Sequence, residues 1–437
     1  MRNLKYLLPF AFLLLPIIGK AASILIPMDE LQKDHLKSYG LAFWVLKQDA
    51  EVDWLLNYRG GSFMMLYNKK TEDECKIRGV SYEVISDAKV AEITAQINDP
   101  SVNMDLVKLQ KAPRMAVYSP TIGVKPQDDA VILVLKYAEI PFDLIYDEEI
   151  LKGDLNKYDW LHLHHEDFTG QYSKEGRGRN SDKFLQTKAI QEALAAKYHF
   201  AKVSKMKLSV AQTIRDFCGG GGFLLAMCSG ADSFDIALSA AKTDIVDEIY
   251  DGDPIDPRAQ SKLDFSQTFA FQNFTVNIGN NNMFDGGGRG FGRGGGGGGG
   301  RFSDIDVSGS RHIQQEDDFF TLFDFSAKWD VVPSMLTQDH ERVIKGFMGL
   351  ATAFNKSKIK STVTIMGELK SANEARYIHG EYGKGQWTFY GGHDPENYQY
   401  NPNEPPTDLA LHPNSPGYRL ILNNVLFPAA KKKKLKT

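Results

Sequence analysis

Apolar residues recur in two alternating patterns along most of this chain, one typical of strands and the other typical of helices. From residue 114 onwards, short apolar runs alternate with longer stretches in which apolar residues recur every three or four positions. The predicted strands are 114–119, 142–146, 160–164, 223–227, 319–326, 362–366 and 387–390. The predicted helices are 128–138, 183–198, 206–217, one that starts at 232, and 418–427. This alternation predicts an α/β domain with a mostly parallel, doubly wound sheet that helices cover on both faces.

A smaller unit precedes this domain. Residues 22–112 predict an α+β unit, with helical patterns at 29–46 and 88–97 and strand-like runs at 52–58 and 80–85. The α/β domain then extends over 113–430, but 279–301 interrupts it with a run of asparagines and glycines. Such a composition cannot bury enough apolar surface to fold, so we predict a disordered insert. A basic tail, 431–437, follows the domain.

The first 21 residues match a cleavable secretory signal peptide. Arg2 and Lys5 give a positive start, an apolar run covers 6–19, and Gly19 and Ala21 are the small residues expected three and one positions before a cut. No later segment is apolar for the ~20 residues that a membrane-spanning helix needs. We therefore predict an exported protein, periplasmic or extracellular, without a transmembrane segment.

Composition narrows the partners and draws attention to the cysteines. The chain has 437 residues and a formal net charge of −4, which argues against a nucleic-acid-binding protein. We expect a small-molecule substrate or an envelope protein as the partner. The three cysteines, Cys75, Cys218 and Cys228, are too few for a disulfide scaffold, and their odd number leaves at least one without a partner inside the chain.

The clearest chemical signal surrounds Cys228. Four glycines at 219–222 precede the predicted strand 223–227, and Cys228 then begins a run of small residues before the next helix. A nucleophile at such a strand-to-helix turn is exposed above the sheet, and nearby backbone N–H groups lower a thiol pKa and can hold an oxyanion. We predict that Cys228 is a nucleophile and that Ser229 and Asp232 contact substrate. A buried structural cysteine at a strand end is the alternative.

A second signal follows the predicted strand 387–390. This strand leads through two glycines to His393, with Asp394 and Glu396 directly behind it. A histidine placed in this way can act as a general base that a neighbouring carboxylate orients. We predict that His393 is the base, Glu396 the orienting acid and Asp394 a substrate contact, although a lone histidine here can also be a hydrogen-bonded turn residue.

The third signal is a run of histidines at the end of strand 160–164. His162 and His164 share one face of the strand, and His165, Glu166 and Asp167 follow at its carboxyl end, where doubly wound sheets bind ligands. We predict that His164, His165 and Asp167 contact substrate. Two histidines and a carboxylate can also bind zinc or iron. Because the chain lacks a His-x-Glu-x-x-His or Cys-x-x-Cys motif, we predict no bound metal and no cofactor.

The segments around Cys228 and His393 together resemble class I glutamine amidotransferase-like domains. A cysteine at a strand–helix elbow is followed far downstream by a strand that ends in His-Asp-Pro-Glu at 393–396. The stretch from 383 through the helix at 418–430 is more similar to the trehalose-utilisation (ThuA-like) branch of that fold. This resemblance implies a flavodoxin-like sheet, a Cys228–His393–Glu396 triad and a role in carbohydrate metabolism.

A second resemblance covers the whole chain. Segments 54–63, 158–172 and 264–271 look like a group of exported bacterial proteins usually labelled asparagine synthetase B. That label implies glutamine-dependent amide transfer. The leading expectation is a cysteine-dependent hydrolase or amidase that acts on a small amide or carbohydrate-linked substrate. The alternatives are a non-catalytic binding or envelope-assembly protein of the same fold, and amide transfer as the label implies.

Overall fold

The computed structural model describes residues 21–120, 129–164, 166–171, 182–277, 303–307, 319–345, 352–396 and 405–430. The strands are β1 (Ala21–Ile26), β2 (Val52–Leu56), β3 (Ser62–Leu66), β4 (Glu83–Ser86), β5 (Asp105–Leu109), β6 (Met115–Tyr118), β7 (Asp143–Ile145), β8 (Trp160–Leu163), β9 (Phe223–Met227), β10 (Phe319–Leu322), β11 (Val343–Lys345), β12 (Phe354–Asn355), β13 (Thr364–Leu369), β14 (Glu374–Tyr382) and β15 (Gly385–Tyr390). The helices are α1 (His35–Leu46), α2 (Lys69–Arg78), α3 (Asp87–Asn98), α4 (Ala130–Tyr137), α5 (Asp147–Leu151), α6 (Asp182–Lys197), α7 (Val203–Gly220), α8 (Ser229–Ser239), α9 (Glu248–Asp251), α10 (Ala259–Lys262), α11 (Val331–Leu336) and α12 (Pro416–Leu426). None of these helices has both the length and the apolar character needed to cross a membrane.

A five-stranded antiparallel sheet forms the N-terminal part of the fold. Its strand order is β4-β1-β3-β2-β5. The alternation of side chains along β2 sends Trp54 to one face and Leu55 to the other, where Ile93 and Ile97 of α3 cover the sheet. On the first face, Tyr39 of α1 packs edge-on against Trp54. The predicted α+β composition of this region is confirmed.

The second sheet is larger and mixed. Its order is β11-β10-β13-β14-β15-β9-β8-β6-β7, with β12 attached to β14. The five strands from β15 to β7 are parallel to one another. The strands from β14 to β11 extend this sheet in antiparallel fashion. The prediction of an α/β fold is confirmed, but the sheet is half parallel and half antiparallel rather than mostly parallel.

Helices lie on both faces of the large sheet. Val117 of β6 belongs to a core that α1, α4 and α12 share with the small sheet. Its neighbour Tyr118 belongs to a second core on the opposite face, built with α5, α7 and α8. Because the five strands from β15 to β7 are parallel, their carboxyl ends meet at one edge of the sheet.

Most predicted elements from β6 onwards lie within a few residues of the observed ones, and β9 has the predicted bounds. Three predicted segments lie outside the described residues: the glycine-rich insert at 279–301, the basic tail at 431–437, and residues 1–20 of the signal peptide. The signal peptide and the domain boundaries therefore stay predictions.

Candidate active site

Cys228 occupies a sharp turn between a strand and a helix. β9 ends at Met227 and α8 begins at Ser229, which leaves Cys228 alone between them with φ 50° and ψ −139°. Residues other than glycine rarely adopt this conformation, which costs on the order of 1–3 kcal/mol and concentrates at functional sites. Cys228 therefore lies at a strained strand-to-helix turn, but its side chain is buried and not exposed above the sheet as expected. Its role as a nucleophile stays a prediction.

The elbow is fixed against the end of the neighbouring strand, β8. The N–H of Gly230 donates a hydrogen bond of 2.6 Å to the carbonyl oxygen of His164. A Cβ atom at position 230 would lie 2.4 Å from that oxygen, so the close approach requires glycine. This contact holds Cys228 and His164 on adjacent strand ends.

The three cysteines differ in their surroundings. All of them lie in the described part of the chain, are buried and are thiols. Burial raises the pKa of Cys75 and of Cys218 to about 12, so these two thiols are poor nucleophiles at neutral pH. Cys228 differs from both because it directly precedes a helix, α8, at the carboxyl edge of the sheet.

A buried carboxylate faces the histidines of β8. Asp129 Oδ2 lies 3.3 Å from His162 Nε2 and 3.1 Å from His164 Nδ1. Burial alone would raise the pKa of Asp129, but the two imidazoles outweigh it and hold this pKa well below its usual range. The three side chains form one compact cluster on the face of the sheet that α4 covers.

The helix α4 positions Asp129. Asp129 is its N-cap, and Oδ1 accepts hydrogen bonds from the N–H groups of Val131 and Ile132 at 2.7 and 3.2 Å. Oδ2 is therefore directed to the histidines while Oδ1 secures the helix. The sequence offered one signal for this residue, an aspartate directly before an apolar helix, and that signal predicts a cap rather than a site residue.

His393 lies beside this cluster. The chain reaches it from β15 through two glycines, and its ring centroid is 4.8 Å from that of His164. The ends of β8, β9 and β15 lie close together because these strands are parallel neighbours.

The two acids behind His393 have other contacts. Glu396 accepts a 2.6 Å hydrogen bond from Ser415, the N-cap of α12, and lies 3.5 Å from His412. Asp394 accepts hydrogen bonds from the N–H of Glu396 and from the hydroxyl of Thr407. These contacts shape the turn and the start of α12. The predicted roles of Glu396 as orienting acid and of Asp394 as substrate contact stay predictions.

The residues that follow β8 mainly shape a loop. Asp167 accepts hydrogen bonds from the N–H and hydroxyl of Thr169 and from the N–H of Gln171. His165 lies outside the described residues. Ser229 and Asp232 are buried in the first turn of α8, next to Cys228. Substrate contact by these residues stays a prediction.

A second buried polar group extends the same edge at β6 and β7. Lys207 of α7 lies 2.7 Å from Asp147 and donates to the hydroxyls of Tyr118 and Tyr146 at 3.2 and 3.1 Å. Tyr146 in turn donates to Glu166 at 3.0 Å. The buried position of Lys207 could not be predicted from the sequence, because a lysine in an amphipathic helix usually faces water.

Comparison with known proteins gives few leads. No family model matches the chain, and no curated protein does. A cytoplasmic protein of Salmonella typhimurium is structurally similar with a TM-score of 0.35 and 10% identity, over 73% of this chain and all of that one. A second, from Salmonella typhimurium LT2, has a TM-score of 0.35 and 12% identity over 72% and 99%. The GH42 β-galactosidase Gan42B has a TM-score of 0.25 and 12% identity over 64% of this chain and 28% of its own. At these scores the likenesses assign no function.

Proposed function

We propose that this chain is an exported cysteine-dependent hydrolase or amidase with a class I amidotransferase-like domain. The conformation of Cys228 is the observation that carries this proposal. A cysteine held at positive φ between a parallel strand and a helix is strained, and such strain is retained where it positions a reacting group. The substrate class we propose is a small amide or a carbohydrate-linked compound.

The strand order supports the proposed fold type. Among the five parallel strands, chain order gives β6, β7, β8, β9 and β15, and their spatial order is β7-β6-β8-β9-β15. That arrangement, second-first-third-fourth-fifth, is the order of flavodoxin-like sheets, whose ligands bind at the carboxyl ends of the strands. Cys228, His164 and His393 follow three of those ends.

The proposed reaction uses the chain's own groups. The Cys228 thiol gives its proton to His393, and the sulfur attacks the carbonyl carbon of the substrate. The N–H of Ser229 at the start of α8 stabilises the oxyanion. His393 then passes the proton to the leaving nitrogen, which leaves a thioester on Cys228. Water that His393 deprotonates hydrolyses this thioester and restores the thiol.

Burial is the observation that favours the second candidate, a binding protein without catalysis. Cys228 is only 1% exposed, and His164 and His393 are 3% exposed each. A hydrolase with this site must open to admit substrate. A binding protein that has kept the fold alone needs no such opening and no reactive thiol.

Selective alkylation separates the two candidates. We expect iodoacetamide at pH 7 to modify Cys228 at least about tenfold faster than Cys75 or Cys218, because the latter thiols are held protonated by burial. Peptide mapping by mass spectrometry gives the three rates in one sample, so Cys75 and Cys218 are internal controls.

The Cys228→Ser variant should lose the fast modification and keep its folded far-UV circular dichroism. Equal rates at all three cysteines in the folded wild-type chain would favour the binding protein.

A further inference from the structure

His162 has a defined hydrogen on one ring nitrogen. Its Nδ1 lies 3.1 Å from the carbonyl oxygen of Leu225, which can only accept a hydrogen bond. Nδ1 is therefore the donor, and in the neutral ring Nε2 presents its lone pair. That lone pair faces Asp129 Oδ2, a second acceptor, at 3.3 Å. Two acceptors in this arrangement require a proton or a metal cation between them.

The spacing of the ligand atoms suits a metal ion. Zinc binds imidazole nitrogen at 2.0–2.1 Å and carboxylate oxygen at a similar distance, so tetrahedral ligand atoms lie about 3.3 Å apart. The distances from Asp129 Oδ2 to the two imidazole nitrogens are 3.3 and 3.1 Å. All three ligand atoms lie within 4.8 Å of one another, and all three residues are buried.

The surroundings hold these side chains in position. The Leu225 carbonyl orients the ring of His162, as second-shell carbonyls do for metal-binding histidines. The first N–H groups of α4 donate hydrogen bonds to Asp129 Oδ1, which leaves Oδ2 to bind the metal ion through one oxygen. The backbone carbonyl of His164 accepts a hydrogen bond from the N–H of Gly230. Each ligand thus has its own support from the fold.

We infer that Asp129, His162 and His164 bind one divalent transition-metal ion, zinc being the ion that this donor set favours. Two imidazoles and one carboxylate are the ligands of many catalytic zinc sites, which keep a fourth position for water or substrate. His393, whose ring centroid is 4.8 Å from that of His164, borders this site. This inference departs from the sequence-based expectation of no metal, which did not include Asp129.

The metal site does not rest on the proposed chemistry of Cys228. If Cys228 is inert, the three ligands remain in place. If Cys228 is the nucleophile, the ion lies near the same edge and can polarise the substrate carbonyl or lower the pKa of a bound water.

Zinc binding to the full-length mature chain tests the inference. The protein is freed of metal with a chelator, and Zn²⁺ is titrated in competition with a chromophoric chelator. We expect one zinc per chain. Asp129→Asn and His164→Asn should each weaken zinc binding at least about 100-fold, because even second-shell changes cost 10–100-fold. Asparagine still caps α4 in the first variant.

Two variants serve as controls. His199→Asn removes an exposed histidine of the same chain, and Cys228→Ser removes the proposed nucleophile. Both should retain one zinc per chain. Circular dichroism of each metal-free variant verifies that it is folded, and the visible spectrum of the Co²⁺ form of the wild-type chain reports nitrogen and oxygen ligands directly.

Three results would overturn the inference. They are an absence of saturable zinc binding by the wild-type chain at micromolar concentrations, binding that Asp129→Asn and His164→Asn leave unchanged, and binding that is lost in His199→Asn. In the first case, a proton and not a metal ion lies between the two acceptors.

Discussion

Replacement of Lys207 by methionine is expected to lower the free energy of unfolding by about 3–5 kcal/mol. Lys207 and Asp147 are both buried, and Lys207 Nζ lies 2.7 Å from the carboxylate. Methionine has a volume similar to that of lysine, but it leaves the charge of Asp147 buried without its cation. The hydroxyl of Tyr118 still donates a hydrogen bond to this carboxylate. Removing one member of a buried ion pair costs this much because the remaining charge is not solvated. Urea-induced unfolding measures the change.

The matched control for Lys207→Met is Lys205→Met, on the same helix but exposed. Its effect should stay within about 0.5 kcal/mol. Adding Asp147→Asn to Lys207→Met should recover part of the loss, since it removes the uncompensated charge. A loss below about 1 kcal/mol for Lys207→Met would contradict the buried pair and suggest a solvated one.

Arg419→Met is expected to lower the free energy of unfolding by a comparable ~3–5 kcal/mol, because it removes the hydrogen bonds from α12 to α1 and to loops of the N-terminal sheet. Arg419 is fully buried and donates to the hydroxyl of Tyr39 at 3.1 Å, to the carbonyl of Met28 at 3.3 Å and to the carbonyl of Gly60. Hydrogen bonds from a charged group contribute about 1.5–3 kcal/mol each, and they do not add fully.

Thermal and urea unfolding measure the effect of Arg419→Met against Arg342→Met. Arg342 pairs with Asp324 on the surface, where such pairs contribute about 0–1 kcal/mol. If the two arginine variants were equally stable, the small sheet would not depend on Arg419 for its attachment to α12.

The local sequence was sufficient to predict elements with a clear apolar pattern. β9 is a continuous apolar run between a glycine stretch and Cys228, and these boundaries define it without knowledge of its neighbours. The turn at Cys228 follows from the same local pattern. The alternation of strands and helices then predicts parallel strands, which bring Cys228, His164 and His393 to one edge.

In the antiparallel half of the large sheet, β10 and β13 were predicted as strands, but β11, β12 and β14 were not. β14 is almost entirely buried, yet it contains Glu374 and Arg376, whose side chains lie 3.4 Å apart in the interior. When two charged residues form an ion pair inside a fold, they interrupt the run of apolar residues by which a buried strand is identified in the sequence. The same strand pairs with β13 and β12, and those pairings depend on tertiary packing.

Asp129 illustrates why part of the site was missed. Its local sequence predicts a helix cap, and it acts as one through Oδ1. Its second role depends on α4 packing beside β8, which brings it to His162 and His164 from a distant part of the chain. Asp167, which follows the histidines in the sequence, instead accepts hydrogen bonds within its own loop.

The pH dependence of Cys228 alkylation tests whether His393 activates this thiol. Iodoacetamide rates at Cys228 are measured from pH 5 to pH 10 in the wild-type chain and in His393→Asn. We expect the alkylation rate of Cys228 in the wild-type chain to be already high near pH 6, because His393 takes the thiol proton. In the variant, the rate should rise only at a pH near or above about 8.5, which is the pKa of an ordinary thiol. Identical pH profiles in the two folded proteins would show that His393 does not activate Cys228.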